Sequence, residues 1–272
     1  MEEKQHTTKE NELLALAKEV AALSDDLTKR YRELKPLINH KDEPHKSIAL
    51  ALTSKSRLSA QAFFLLIEKK LKYDSQLILR SIFENLVNMK YILIQKDKKF
   101  WASRYIEYQY VCSLKYLERI PDLPFDSTTK EYIEKLKSKC SDKLLTLKEK
   151  YGKNFGGQPK TWSGKTIKEM ADECGLILTY NLPYALWSDY HHANISSINL
   201  FAKEIEGDLI ISEEFDKEVS AELVSFMNIF NEINDLINSL FNLGIESKIN
   251  ELKVRTGILG PISIIDSIRH QS

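Results

Sequence analysis

Turn formers are scarce in this chain, with 9 glycines and 7 prolines among 272 residues. Few tight turns can be built from so little glycine and proline, so the elements between them must be long. Leu, Ile, Lys and Glu dominate those stretches, and such residues favour helix over strand. Apolar positions also recur at three-and-four spacing. Leu13, Leu16, Ala17, Val20, Leu23, Leu27 and Leu34 make one such stripe, and Leu223, Phe226, Met227, Phe230, Ile233 and Ile237 make another. That is the period of an amphipathic helix. The expected fold is all-α: a mostly antiparallel bundle of about six main helices, with short extra helices and at most one small β-hairpin.

The breaks follow the same logic. A first helix is expected from about residue 8 to 35, closed by Pro36. Pro44 suits the first turn of a second helix, to about residue 72. Asp74 is a candidate N-cap for a third helix, to about Gln95. A fourth should run from about residue 99 to 119, and a lysine-rich fifth from Ser127 to about Tyr151, lying on the outside. Residues 152–164 (GKNFGGQPKTWSG) form the least regular segment and are expected to be a mobile loop. Short helices follow from Ile167 to Cys174, with Gly175 as C-cap, and from Asn181 to about Ala193. Glu206-Gly207-Asp208 is the turn of the hairpin candidate. Ser212 is expected to cap a long last helix to about Asn242. The implied organisation is an N-terminal helix (1–42), a main helical domain (43–245) and a C-terminal tail (246–272).

Composition narrows the function classes. The formal net charge is zero, without the basic excess usual in proteins that wrap duplex nucleic acid. Cys112, Cys140 and Cys174 are odd in number, widely spaced and free of a CxxC pair. Neither a disulfide framework nor a structural zinc site is expected, and reduced thiols point to the cytoplasm. The N-terminus lacks the apolar core of a signal peptide, and no apolar run approaches the ~20 residues needed to cross a bilayer. No membrane association is expected.

The third helix, LILRSIFENLVNMKYILI, is apolar on nearly every side and should be central. Yet it carries Arg80, Glu84 and Asn88, four apart and therefore on one face. Burying an unpaired charge costs several kcal/mol, so Arg80 and Glu84 should pair. A second ladder, Tyr184, Ser188 and His192, recurs at the same spacing beside His191. A third polar group, Arg104, Glu107 and Tyr108, lies on the fourth helix. The first two ladders are expected to face each other. Removing Glu84 would leave Arg80 unpaired in an apolar setting, so Glu84→Ala is expected to destabilise the fold more than Glu107→Ala.

An Arg-x-x-x-Glu on a central apolar helix (Arg80, Glu84), a tyrosine-rich helix after it, and a later Tyr-x-x-x-Ser-x-x-x-His (Tyr184, Ser188, His192) resemble the DUF5677 family of uncharacterised bacterial helical proteins. The resemblance covers about residues 46 to 238 and implies a helical fold. The general look is also similar to the HEPN superfamily of helical ribonucleases and toxins. Those carry Arg-x(4–6)-His near the start of a late helix, a motif without a clean copy here.

Two functions are open at this point. In the first, the chain is an enzyme acting on RNA, a nucleotide or another phosphate-containing substrate. Arg80 would hold the phosphate through its planar fork, Glu84 would orient Arg80, and His192 would move the proton. Asn88, Glu107, Tyr108, Tyr184, Ser188 and His191 would line the site. In the second, the same cluster is structural and the chain is a helical interaction or scaffold module, a homo-oligomer. Glu84, Glu107 and His192 are of metal-ligand type. They lack the Glu-x-x-His partners of diiron helical proteins, and no metal or other cofactor is expected.

Overall fold

A computed structural model describes residues 2–34, 40–120, 125–157, 161–191, 202–205, 208–211 and 218–269. The fold is all-α apart from one hairpin. Helices α1 (Glu2–Leu34), α2 (Pro44–Glu68) and α3 (Lys72–Ile94) come first, followed by α4 (Lys98–Glu107) and α5 (Gln109–Leu117). Helix α6 spans Ser127–Tyr151 and α7 Ile167–Glu173. The short α8 (Ile177–Thr179) runs into a π-helical turn (Tyr180–Tyr184) and then α9 (Ala185–His191). Strands β1 (Ala202–Ile205) and β2 (Asp208–Ile211) pair antiparallel, Ala202 opposite Ile211 and Ile205 opposite Asp208. Helices α10 (Ser220–Phe241) and α11 (Glu246–Arg269) complete the chain.

Helix α3 packs on α2, α10, α7 and α9, while α10 packs on α1, α3 and α11. These two helices form the centre because their sequences offer apolar side chains in nearly every direction. Leu79, Ile82, Phe83, Leu86, Val87 and Met89 of α3 are all buried, as are Leu223, Phe226, Met227, Phe230 and Ile233 of α10. The Phe226 ring stacks on Phe63 of α2 at 4.7 Å and on Phe230 at 4.4 Å.

Several boundaries differ from the sequence expectation, each for a local reason. Asp74 lies inside the first turn of α3, and Leu71 holds the N-cap position without a side-chain bond. The expected fourth helix divides at Tyr108 into α4 and α5. The segment expected to be a mobile loop contributes to the interior: Phe155 is 1 % exposed and Trp162 7 %. Phe155 joins Val111, Leu147 and Tyr151 in a small second core between α5 and α6, and Trp162 enters the main core. Lysine-rich α6 buries only Cys140, Leu147 and Tyr151 among its described residues, in line with its thin apolar stripe, and is tied to α4 by the pairing of Lys143 and Lys150 with Glu107. The expected C-terminal tail is helix over Glu246–Arg269, with Ile249, Leu252 and Thr256 of α11 buried against α10. Gly175 takes φ +69° just after α7, where a left-handed residue ends the helix. The hairpin falls where expected, although its turn residues Glu206 and Gly207 lie outside the described residues, as does Ser212.

The aromatic stack sets the first expected outcome. Phe226→Ala should lower stability by about 3–5 kcal/mol in urea unfolding, the usual cost of emptying a closed aromatic site. Leu178→Ala, at a position 74 % exposed, should stay within about 0.5 kcal/mol of the parent.

Candidate functional site

The ladder on α3 is built by spacing and covered by three different elements. Arg80, Glu84 and Asn88 form a partly exposed strip of α3, with the Arg80 side chain 20 % and the Glu84 side chain 35 % exposed. The Arg80–Glu84 pair, expected to be buried, is therefore only partly so. Arg80 Nε donates to Glu84 Oε1 at 3.2 Å. Across from them, Pro183 has no N–H to give to the helical ladder, and the chain widens into the π-helical turn. Tyr184, at the end of that turn, is buried and donates its hydroxyl to the same Glu84 Oε1 at 2.8 Å. The Arg80 guanidinium carbon sits 5.5 Å from the centre of the Tyr184 ring.

Charge and burial act against each other here. Burial disfavours the Arg80 cation, but Tyr184 and Glu84 outweigh it and raise its pKa above the ordinary arginine value. Burial, with the Glu84 carboxylate behind it, pushes the Tyr184 phenol well up. Arg80 stays a cation and Tyr184 a neutral donor across the working pH range. Arg80 Nη1 is buried and has no hydrogen-bond partner among the described residues. The arrangement can offer guanidinium donors to an acceptor arriving from solvent.

Asn88 serves a different purpose. Its Nδ2 donates to the Glu84 carbonyl at 2.7 Å, and its Oδ1 accepts from Trp162 Nε1 at 2.6 Å. The Trp162 carbonyl accepts from Arg104 Nε at 2.6 Å, and Arg104 Nη1 donates to the Tyr151 carbonyl at 3.1 Å. The Arg104 guanidinium also lies within 5.0–5.6 Å of the Phe155, Tyr151 and Trp101 rings. This run of bonds clamps the 152–164 segment onto α3 and α4. Trp162, which carried no sequence motif, is its hinge. The signal that would have found it is an indole N–H, which needs an acceptor once buried.

The third sequence group separates from the first two. Glu107 faces α6, accepting from the Tyr151 hydroxyl at 2.5 Å and from Lys150 at 2.8 Å. Its side chain is 23 % exposed, less than the 35 % of Glu84. Tyr108 packs edge-on against Phe155. Neither residue reaches the Arg80 strip. Ser188, on α9, is half-buried. The ladders do face each other at their Tyr184 end. His192 lies outside the described residues, and for His191 the described structure is limited to the backbone of α9.

The described residues hold no group of three or more His, Cys, Asp or Glu that could bind a metal ion. None of the described helices is long and apolar enough to cross a membrane. A second polar ladder, unanticipated from sequence, runs along α10. Asn231 bonds Thr256, Asn234 bonds Ser24 and the Val20 carbonyl, and Asn238 bonds Glu246 and the Ile245 amide. Asn228, Asn231, Asn234 and Asn238, at three- and four-residue spacing in a largely apolar helix, were the available signal.

The Arg80–Glu84 helix, the tyrosine-bearing α4 and the Tyr184–Ser188 helix all fall within residues 46–208. That span, more than half of the chain, matches the model of a family of unknown function, DUF5677. The chain belongs to this family. No curated protein and no solved structure matches it. The family region holds most of α2, all of α3 to α9 and strand β1, so the Arg80 strip lies wholly inside it. Helices α1, α10 and α11 lie wholly outside the matched span.

Glu107 supplies the pH test of this geometry. Burial works against its charge, but hydrogen bonds from Lys150 and Tyr151 and the charge of Lys143 hold its pKa below the ordinary value of 4.5. Its contribution is therefore complete above that value and fades as pH falls through the lower folded value. On acidification from about pH 6 to about pH 3, the parent should lose more stability in urea titrations than Glu107→Gln. Parallel curves for the two proteins would contradict the assignment.

Proposed function

We propose that this chain acts on a phosphate-containing substrate, RNA or a nucleotide, and that Arg80 is its phosphate anchor. The observation that carries the reading is the Arg80 guanidinium, on a side chain 20 % exposed and held through Nε by Glu84, while its buried Nη1 has no partner among the described residues. A guanidinium fixed at one edge by a carboxylate, with donor capacity left over, suits recognition of a tetrahedral anion. Glu84 and the Tyr184 ring orient Arg80, and Ser188 lies one helical turn further along α9. In this reading His192 is the proton-transfer group, as its place in the Tyr-x-x-x-Ser-x-x-x-His series suggests. The chemistry is then of the kind used by HEPN-like ribonucleases. Asn88, Glu107 and Tyr108 are support, because their polar groups are engaged within the fold. The three cysteines, none in a disulfide, support a cytoplasmic setting.

A second reading, a homo-oligomeric interaction module, draws on a different observation. Leu178, Leu182 and Leu186 recur every four residues and are 74 %, 66 % and 55 % exposed. Large apolar side chains at helical spacing suit a partner helix.

Binding of a fluorescent single-stranded RNA and of ATP should separate the two. Arg80→Ala and Arg80→Lys should each weaken binding by about 10- to 100-fold, as expected for loss of a charge-assisted fork, with the circular dichroism spectrum unchanged. His192→Ala should retain binding and lower RNA cleavage by about 10²- to 10⁴-fold. Undiminished binding by a folded Arg80→Ala protein would remove the anchor. If the parent binds neither ligand and Leu182→Glu converts a dimer to a monomer in light scattering, the interaction module is the function.

A further inference from the structure

The π-helical turn beside Arg80 begins and ends on an aromatic ring. Tyr180 opens it and Tyr184 closes it, and the two rings stack at 4.8 Å with 27° between their planes. The stacked rings of Phe63, Phe226 and Phe230, by contrast, are all fully buried and fill the core. In the tyrosine pair only Tyr184 is buried, and Tyr180 is partly exposed. Leu178, Asn181 and Leu182 beside it are exposed as well. This turn therefore lies at the surface, and Tyr180 is the solvent end of its stack.

The inner ring fixes the position of the outer one relative to a cation. Tyr184 is held by its hydroxyl bond to Glu84 Oε1, and the Arg80 guanidinium carbon lies 5.5 Å from the centre of its ring. Two groups 4.8 Å and 5.5 Å from one ring are at most about 10 Å apart. A partly exposed ring and a guanidinium thus share one buried mount, at a separation that one or two nucleotides can span.

The two groups ask for different parts of a ligand. A guanidinium alone does not distinguish RNA from any other phosphate ester. An aromatic ring adds that distinction, because every nucleobase has a π-face, and the bases of a single strand are free to stack on a tyrosine. The chain has no net charge, so it draws a polyanion only weakly through its overall field. Stacking supplies affinity that does not depend on that field.

We propose that Tyr180 is a nucleobase platform, taking one base of a single-stranded RNA while Arg80 holds a phosphate of the same strand. The proposal rests on the phosphate reading of Arg80 and narrows its substrate to one that carries bases. Fluorescence anisotropy of the full chain tests it, with a labelled short oligoadenylate and an abasic chain of the same length, each titrated over a range of salt. The parent should bind oligoadenylate about 5- to 100-fold more tightly than the abasic chain, the usual effect of one stacked base. Tyr180→Phe should keep that preference. Tyr180→Leu, which keeps bulk without a π-face, should lower oligoadenylate binding to the abasic level with the helical spectrum intact. Tyr180→Trp should bind oligoadenylate at least as tightly as the parent, which tests the platform even where leucine disturbs the turn. Arg80→Ala should weaken both chains alike and reduce the slope of log K against log salt by ~0.7, the contribution of one phosphate on a single strand. Equal binding of the two chains by the parent, or an undiminished preference in a folded Tyr180→Leu protein, would overturn the platform and leave the anchor standing. A preference for bases with no response to Arg80→Ala would remove the anchor and leave the platform. No binding of oligoadenylate by the parent at low salt would overturn both.

Discussion

Helix α3 is apolar in nearly every direction, and a helix of that kind must be enclosed by others. The polar residues it carries decide which element may cover which side, because each needs a partner once water is removed. Gln76 donates to Glu222 and Lys90 pairs with Glu232, both on α10. Asn85 bonds Ser56 and accepts from Lys55, both on α2. Asn88 meets Trp162 from the 152–164 segment, and Glu84 meets Tyr184. Apolar contact alone would let these neighbours slide or rotate at little cost. Five polar side chains pointing in different directions tie each neighbour to one position, since a slip of one residue would strand a buried donor or acceptor. The Arg80 strip is the gap left where this enclosure is incomplete.

The helices were legible because a 3.6-residue period survives in any sequence whose helices bury one face. The Arg80–Glu84 pairing was legible for a similar reason, since i and i+4 are neighbours on any helix whatever the tertiary structure. What was not legible depended on contacts distant in sequence. Residues 152–164 look like a loop because glycine, asparagine and lysine crowd together there. Nothing local reveals that Phe155 and Trp162 are pulled into two cores by Arg104, about fifty residues earlier. Glu107 looked like a surface carboxylate on a polar helix. It is drawn in by Tyr151 and Lys150, which arrive on α6 through an unrelated stretch of sequence. The C-terminal segment seemed a tail because its stripe is thin, but Ile249 and Leu252 suffice when α10 is already beside them.

Helix α10 shows how a polar residue can bind the bundle without announcing itself. Asparagine is a poor helix former, and the four in this helix (Asn228, Asn231, Asn234 and Asn238) weaken it in isolation. In the folded chain Asn234 reaches α1 and Asn238 holds the turn into α11. The helix is thereby stapled to elements on both sides, including α1 and α11, which lie outside the span matched by the family. Asn231 differs from the other two because only half of its amide is matched.

The same difference appears among the arginines. Arg104 and Arg80 are both arginines against aromatic rings, and residue type does not tell them apart. Arg104 bonds two backbone carbonyls, lies among three rings, and has its pKa lowered because burial outweighs the nearby phenols. Its carbonyl partners are fixed parts of the chain, so its work is finished within the fold. Arg80 spends one nitrogen on a single carboxylate oxygen and keeps another, buried, without a partner among the described residues. Burying a donor without an acceptor costs about 1–3 kcal/mol, and Arg57, paired with Asp25, carries the same cost at its Nε. An unmatched nitrogen therefore does not by itself make a site; at Arg80 it supports the proposed anchor only together with the remaining exposure of the side chain and the carboxylate that orients it.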